Sequence, residues 1–279
     1  MRPPTWLYVP APKLPELLAK AAASADAVVI DLEDAVHPDH RPAARRLLQE
    51  CLTELDVPVD VRINAVGSPD FYLDLEALGP VASLLSGVRI PKVETPAEAQ
   101  AAASALVGLF DGPRLVCQLE SARGVSQALG IAAVAGVQSV MLGEADLRAD
   151  LGVPRDDDAG LALARQAVVL ASRAAGLERP IGSVYANIDD DEGLRRSSIL
   201  LRSFGFHGRS CIHPRQVPIV RDVFTPSAVD LAWAADVVSA SLELGEESSA
   251  AVKLADGSFV DPAIIRQASE ILGHRQVQG

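Results

Sequence analysis

Aromatic residues make up only 4% of this 279-residue chain, and there are only three cysteines. A core short of rings must be filled by Ala, Leu and Val. Side chains that small let helices approach a sheet closely, which suits a layered α/β protein. Cys51, Cys117 and Cys211 are far apart, odd in number and free of CxxC spacing, so neither a disulfide framework nor a zinc knuckle is supported. Cys117 lies in an apolar run and reads as a small buried side chain. No run of about 18 uncharged apolar residues occurs, so no membrane span is expected. The opening MRPPTWLYVPAP has a Pro pair and no apolar signal core, and a cytoplasmic protein is expected. Basic residues are in deficit, 25 against 37 acidic ones, for a formal charge of −12. Such a chain lacks the footprint of a nucleic-acid binder, and anionic substrates would need locally placed Arg or backbone N–H groups. No G-x-G-x-x-G follows a candidate strand, so a dinucleotide fingerprint is missing as well.

What is present is regular. Short apolar, β-branched runs at 5–10, 27–34, 59–64, 87–94, 115–121, 139–146, 181–187 and 206–213 read as strands. Between them, segments such as RPAARRLLQECLTEL, TPAEAQAAASALVGLF, ARGVSQALGIAAVAG and DDAGLALARQAVVLASRAAG bury one face at helical spacing. Thr95-Pro96 and Asp189 to Asp191 read as helix starts, and Gly176 as a stop. Strands that read as continuous apolar runs and alternate with helices imply parallel pairing. Eight such units predict an α/β protein with a (β/α)₈ TIM barrel over 1–225; an open doubly wound sheet is the alternative. Residues 226–279 read as a C-terminal helical extension and lid: a long helix over 226–244, a polar hairpin or loop, EESSAAVKLADGSF, and a last helix.

The polar residues gather at one end of these strands. Asp31, Glu33 and Asp34, Arg62 and Asn64, Lys92 and Glu94, Glu120, Glu144 and Asp146, Asn187 and His213 all fall at C-terminal ends, where barrel chemistry collects. A Mg²⁺-type ion takes hard oxygen ligands and needs only one or two protein carboxylates, so Glu120 and the Glu144/Asp146 pair, ending consecutive strands, are candidates. Read as a strand, residues 144 and 146 share a face, and spacing does not choose between them. Asp150 reads as lying in the next turn, near Arg148. His37-x-x-His40 shares its segment with Pro38 and Asp39 and reads as a solvated turn. Lys92 reads as an ion-pair partner of Glu94.

The ordered motifs LYVPA, DLEDAV (31–36), VRIN (61–64), IPKVE (90–94), QLESARGV (118–125), LGEADLRADLG (142–152), GRSCIHPRQV (208–217) and GSFVDPAIIRQA (257–268) resemble the citrate lyase β-subunit-like family of the HpcH/HpaI aldolase superfamily. The resemblance implies a Mg²⁺-dependent barrel that makes or breaks a C–C bond beside an acyl-CoA thioester, releasing a keto acid and acetyl-CoA. It implies Glu120 and Asp146 as metal ligands and Arg62 as the clamp on the substrate carboxylate and enolate. It also implies Asp261 as a proton-transfer acid supplied to a neighbour's site. By their chemistry, Glu33 would support the substrate site by orienting Arg62 or holding metal waters, and Asp34 would form a structural ion pair. His213 and Pro214 would shape a loop near the CoA nucleotide. This chain departs from the family pattern at Pro262, directly after Asp261, at Ala11 where Gly is common, and at Lys13 where Asp or Asn often stands. Residue chemistry leaves other readings open. Arg62 can be a buried ion-pair partner of Asp31 or Glu33, and Asp261 can be the cap of the last helix. A CoA-independent class II aldolase and a non-catalytic keto-acid-binding subunit are the competing functions. A homo-oligomer, with a trimer favoured, and possible acyl-carrier and transferase subunits are the implied partners.

Overall fold

A computed structural model describes residues 4–110, 115–155, 157–243, 252–253 and 259–273. Two compact units result, one spanning Arg2–Phe224 and the other starting at Thr225. The first contains eight strands: β1 (Thr5–Pro10), β2 (Ala27–Asp31), β3 (Val59–Arg62), β4 (Gly87–Ile90), β5 (Leu115–Leu119), β6 (Val137–Leu142), β7 (Ile181–Gly182) and β8 (Gly208–Cys211). They form one parallel sheet in the order β6-β5-β4-β3-β2-β1-β8-β7, nearly closed into a barrel. All eight predicted strands are present, and every one stops short of its predicted C-terminal end except β1. Asp31 and Arg62 are the last residues of β2 and β3, and the other polar residues at the ends belong to the loops and first helical turns that follow.

Strand register assigns the two faces. Trp6 pairs with Ala27, and Val29 with Asp60. Trp6, Ala27, Val29 and Ile181 cluster with Tyr8 inside the barrel, while Leu7, Val28, Val61, Val88 and Cys117 join the large apolar layer beneath the helices. Within the barrel, Arg89 is 2% exposed, pairs with Asp60 at 2.9 Å and lies 4.6 Å from the Trp6 ring. The small-residue argument holds outside it: Ala99 and Ala102, on the helix Pro96–Leu106, are fully buried against the sheet. That helix starts with a full capping box, the Thr95 side chain accepting from Glu98 and the Glu98 side chain accepting from Thr95.

Between β6 and β7 no ladder forms, although the two strands lie side by side. A side chain ties this seam. Ser183, just past β7, donates its hydroxyl to the Leu142 carbonyl at 2.6 Å and accepts from the Glu144 N–H at 3.3 Å.

In the second unit, the helices Ala228–Glu243 and Pro262–Ile271 pack on each other through Ala234, Val237 and Ala268, with Val260. Strands β9 (Val252–Lys253) and β10 (Phe259–Val260) pair antiparallel, as a hairpin requires. The rest of the polar link, 244–251 and 254–258, lies outside the described residues. Among the described residues no helix is long and apolar enough to cross a membrane.

Candidate active site

Strand ends build the site. Asp31 closes β2, and its carboxylate accepts the backbone N–H groups of Glu33 and Ala35, which shapes the loop that follows. Arg62 closes β3 beside it. Asp31 grips that guanidinium through Nε at 2.8 Å and Nη2 at 2.6 Å. Nη1 meets Asp34 at 3.2 Å and Glu33 at 3.1 Å. Burial works against the Arg62 charge, but the Asp31 carboxylate outweighs it and the group stays cationic. The ion-pair reading of Arg62 is therefore correct, and the guanidinium so fixed lines the cavity.

Lys92 follows β4 with φ +57°, the one left-handed non-glycine residue among those described. This backbone costs on the order of 1 kcal/mol or more for a side chain with a Cβ. It turns Nζ onto Glu33, with Asp34 at 3.7 Å. The expected Lys92–Glu94 pair is not formed. Glu94 instead accepts from the Ser121 hydroxyl at 2.7 Å and faces Arg123. A left-handed residue at 92 rotates the side chain across the barrel mouth, which spacing along a strand does not reveal.

Glu120 stands one residue past β5 and is 5% exposed. Gln118, two residues earlier on the same face, donates its amide to Glu120 Oε1. On its other side the carboxylate lies against Gly143, where an added Cβ would fall 2.4 Å from Oε1. Glu120 Oε2 is buried with no hydrogen-bond partner. Burial, then the Glu33 charge, push the Glu120 pKa up to about 8, with Asp146 adding to the rise. Burial likewise raises Glu33 against the pull of Arg62.

The strand reading of Glu144 and Asp146 is corrected here. β6 ends at Leu142, and Glu144–Leu151 is a helix, so the two acids sit in its first turn and do not share a strand face. Gly143 ends the apolar run, and the acids after it suit the positive end of a helix. Both line the cavity, but their surroundings differ. Both Glu144 oxygens are held by Arg165, at 2.8 and 2.7 Å, so Glu144 is a structural anion. Asp146 is exposed and lines the cavity. Asp150 lies on the same helix and accepts the Ala122 N–H at 2.6 Å, while Arg148 turns to Asp158.

Asp31, Asp34, Arg62, Glu120 and Asp146 line one cavity of about 1460 Å³, together with Tyr8, Gln118 and Ser210. Beside it, Asp31, Glu33 and Asp34 pair with Arg62, and Glu33 and Asp34 with Lys92. Among the described residues no group of three or more His, Cys, Asp or Glu side chains forms a ready metal cage. Two carboxylates and an unpartnered, buried Glu120 oxygen still fit a hard cation that fills its remaining positions with water or substrate. At the eighth loop the cavity wall runs through Ile212; His213 turns back to accept the Arg215 N–H, and Pro214 is exposed. Asp261 belongs to the second unit, where its side chain caps the last helix, accepting from Ala263 at 2.8 Å and Ile264 at 2.9 Å.

A parallel barrel that collects acids and one forked cation at its strand ends is built as an enzyme of the (β/α)₈ class. The chain belongs to the HpcH/HpaI aldolase/citrate lyase family, whose model matches residues 5–214. It is 37% identical to a citrate lyase subunit beta-like protein of Mycobacterium tuberculosis, over 96% of this chain and 94% of that one. An L-malyl-CoA/beta-methylmalyl-CoA lyase of Rhodobacter capsulatus is 31% identical over 94% and 90%. Among solved structures, CitE of M. tuberculosis, crystallised with magnesium, acetoacetate and coenzyme A, superposes with a TM-score of 0.80 at 34% identity, covering 97% of each chain.

Proposed function

We propose that this protein is a Mg²⁺-dependent carbon–carbon lyase that splits a β-hydroxyacyl-CoA thioester into a keto acid and acetyl-CoA, or joins them. The observation that carries this is Glu120: a buried carboxylate with one unpartnered oxygen, fixed by Gln118 and Gly143, facing Arg62 and Asp146 across one cavity. Glu120 and Asp146 would hold the ion. When bound, the ion supplies Lewis acidity to the substrate's hydroxyl and carboxylate oxygens. Arg62, charged at every working pH and fixed by Asp31, presents N–H donors where negative charge grows on the thioester oxygen as the C–C bond breaks. Glu33 and Lys92 hold that fork in place. A carboxylic acid must deliver a proton to the acetyl carbon, and Asp261 is assigned that role in a neighbouring subunit's site, within a homo-oligomer that we take to be a trimer. His213 and Pro214 are assigned to the loop nearest the CoA nucleotide. Acyl-carrier and transferase chains are the further partners this reading admits, and the cytoplasm is the compartment.

Titration calorimetry with Mg²⁺ plus oxaloacetate, glyoxylate or pyruvate, followed by an acyl-CoA cleavage screen, tests the reading. Metal-dependent keto acid binding that persists in Glu120→Ala and Asp146→Ala overturns it.

A further inference from the structure

A buried ion is costly unless another ion or a full set of hydrogen bonds matches it. On the helix-facing side of β7 and β8 lies a polar layer that fails this balance. Glu144 gives both oxygens to Arg165. Asp158 is shared between Arg165 and Arg148, at 2.8 Å each. The third cation of the layer, Arg209 on β8, is 1% exposed and has no carboxylate within ion-pair distance among the described residues. Register aligns it with Gly182 and Thr5, the face away from the barrel interior. Its Nη1 donates only to the neutral hydroxyls of Ser197 and Ser198, at 3.0 and 3.2 Å. The guanidinium carbon lies 5.5 Å from the Tyr185 ring centre, and Nε has no partner. Burial draws its pKa down to about 10, with the Glu144 charge resisting.

Arg209 is also part of the cavity wall, which Tyr185, Arg196, Ser197 and Leu200 line as well. At about 1460 Å³ the cavity exceeds the usual range for a ligand pocket, so the acid cluster needs only part of it. A guanidinium that walls a cavity and has no counter-ion among the described residues is complementary to a planar or tetrahedral oxyanion. We propose that Arg209, with Arg196 and the Ser197 hydroxyl, forms an oxyanion site in the wall of this cavity, taking a carboxylate or phosphate group of a bound ligand. Arg209 lies on the strand face away from the barrel interior, and the proposal does not depend on the metal reading.

The test is titration of the full-length protein with inorganic phosphate, and separately acetate, at constant ionic strength in a chloride background. The arginine Nε–H resonances are followed by NMR and heat by calorimetry. The Arg209 Nε resonance is expected to shift and saturate. Affinity is expected to fall at least about tenfold in Arg209→Lys, which keeps the charge and loses the fork, and further in Arg209→Met. Glu120→Gln is expected to bind the oxyanion as the wild type does, which separates this site from the metal site. Competition by coenzyme A assigns the oxyanion to a thioester carrier's phosphates, competition by a keto acid to a substrate carboxylate, and competition by neither to an independent ligand. No shift of the Arg209 resonance in the wild type, or equal affinity in Arg209→Lys, overturns the proposal. Should Arg209→Met fail to fold, the resonance and the Lys variant decide.

Discussion

Gln118 holds Glu120 from two residues earlier on the same strand face, its amide N–H bonded to Oε1. A carboxylate steered this way has one oxygen occupied and the other left for a ligand. Partners of this kind behind a metal ligand are worth about 10–100-fold in affinity. Gln118→Leu is therefore expected to weaken Mn²⁺ or Mg²⁺ binding within that range, read by calorimetry, with the fold intact by circular dichroism. Wild-type affinity in this variant would remove Gln118 from the role.

Gly143 sets the other side of the same carboxylate. A Cβ there would meet Glu120 Oε1 at 2.4 Å and its Cγ at 2.6 Å. Gly143→Ala must displace the Glu120 side chain, at a cost of roughly 1–3 kcal/mol in stability. Metal-dependent activity is expected to fall more steeply than thermal stability, because the carboxylate moves while the strand stays.

Protonation of Glu120 links pH to both stability and metal binding. Its pKa rises from 4.5 to about 8 on folding. Between those values the folded chain binds a proton that the unfolded chain releases, so this group's contribution to metal-free stability falls as pH increases across the window. Glu120→Gln is expected to flatten that slope in urea titrations. Binding of a cation to the carboxylate must expel the proton, so at pH 7 about one proton is released per ion. Calorimetry in buffers of different ionisation enthalpy reads this directly, and the release is expected to disappear in Glu120→Gln.

Asp261 has two separable jobs. As a cap, its replacement by Ala is expected to destabilise the last helix by about 1 kcal/mol. Asn caps nearly as well and carries no acid. Asp261→Asn should therefore keep stability while lowering acyl-CoA turnover, if Asp261 moves a proton. Equal turnover in Asp261→Asn and wild type confines the residue to capping.

Ser183 is the clearest structural test. Its hydroxyl serves the Leu142 carbonyl and the Glu144 N–H together. Ser183→Ala strands both buried backbone groups and is expected to cost about 1–3 kcal/mol by chemical denaturation.

Much of the barrel was legible because apolar runs and caps are local signals: eight strands, the Thr95 capping box and the Asp190 cap all fall where side-chain pattern puts them. Strand ends were legible only as compositional zones. The apolar run of β6 passes into the Glu144 helix across a single Gly, and periodicity over so few residues does not separate an extended end from a first helical turn. The pairing of Glu144 with Arg165 left no trace in the sequence, since the two lie 21 residues apart. The expected Lys92–Glu94 pair gives way to Lys92–Glu33 because a positive φ reverses the direction that alternation assumes. Gln118 did leave a readable trace, two residues before Glu120 on one face of a strand. Arg209 left none, because an unmatched charge is defined by what three other segments fail to offer it.

The seam between β6 and β7 has a mechanical consequence. Seven of the eight strand junctions are laced by backbone amides, and widening any of those unmakes a ladder. The eighth is held by one hydroxyl. The barrel thus has its weakest joint here, and hydrogen exchange at Glu144, whose N–H rests on the Ser183 hydroxyl, should outpace that at Gly143, whose N–H is bonded to the Leu119 carbonyl at 2.9 Å.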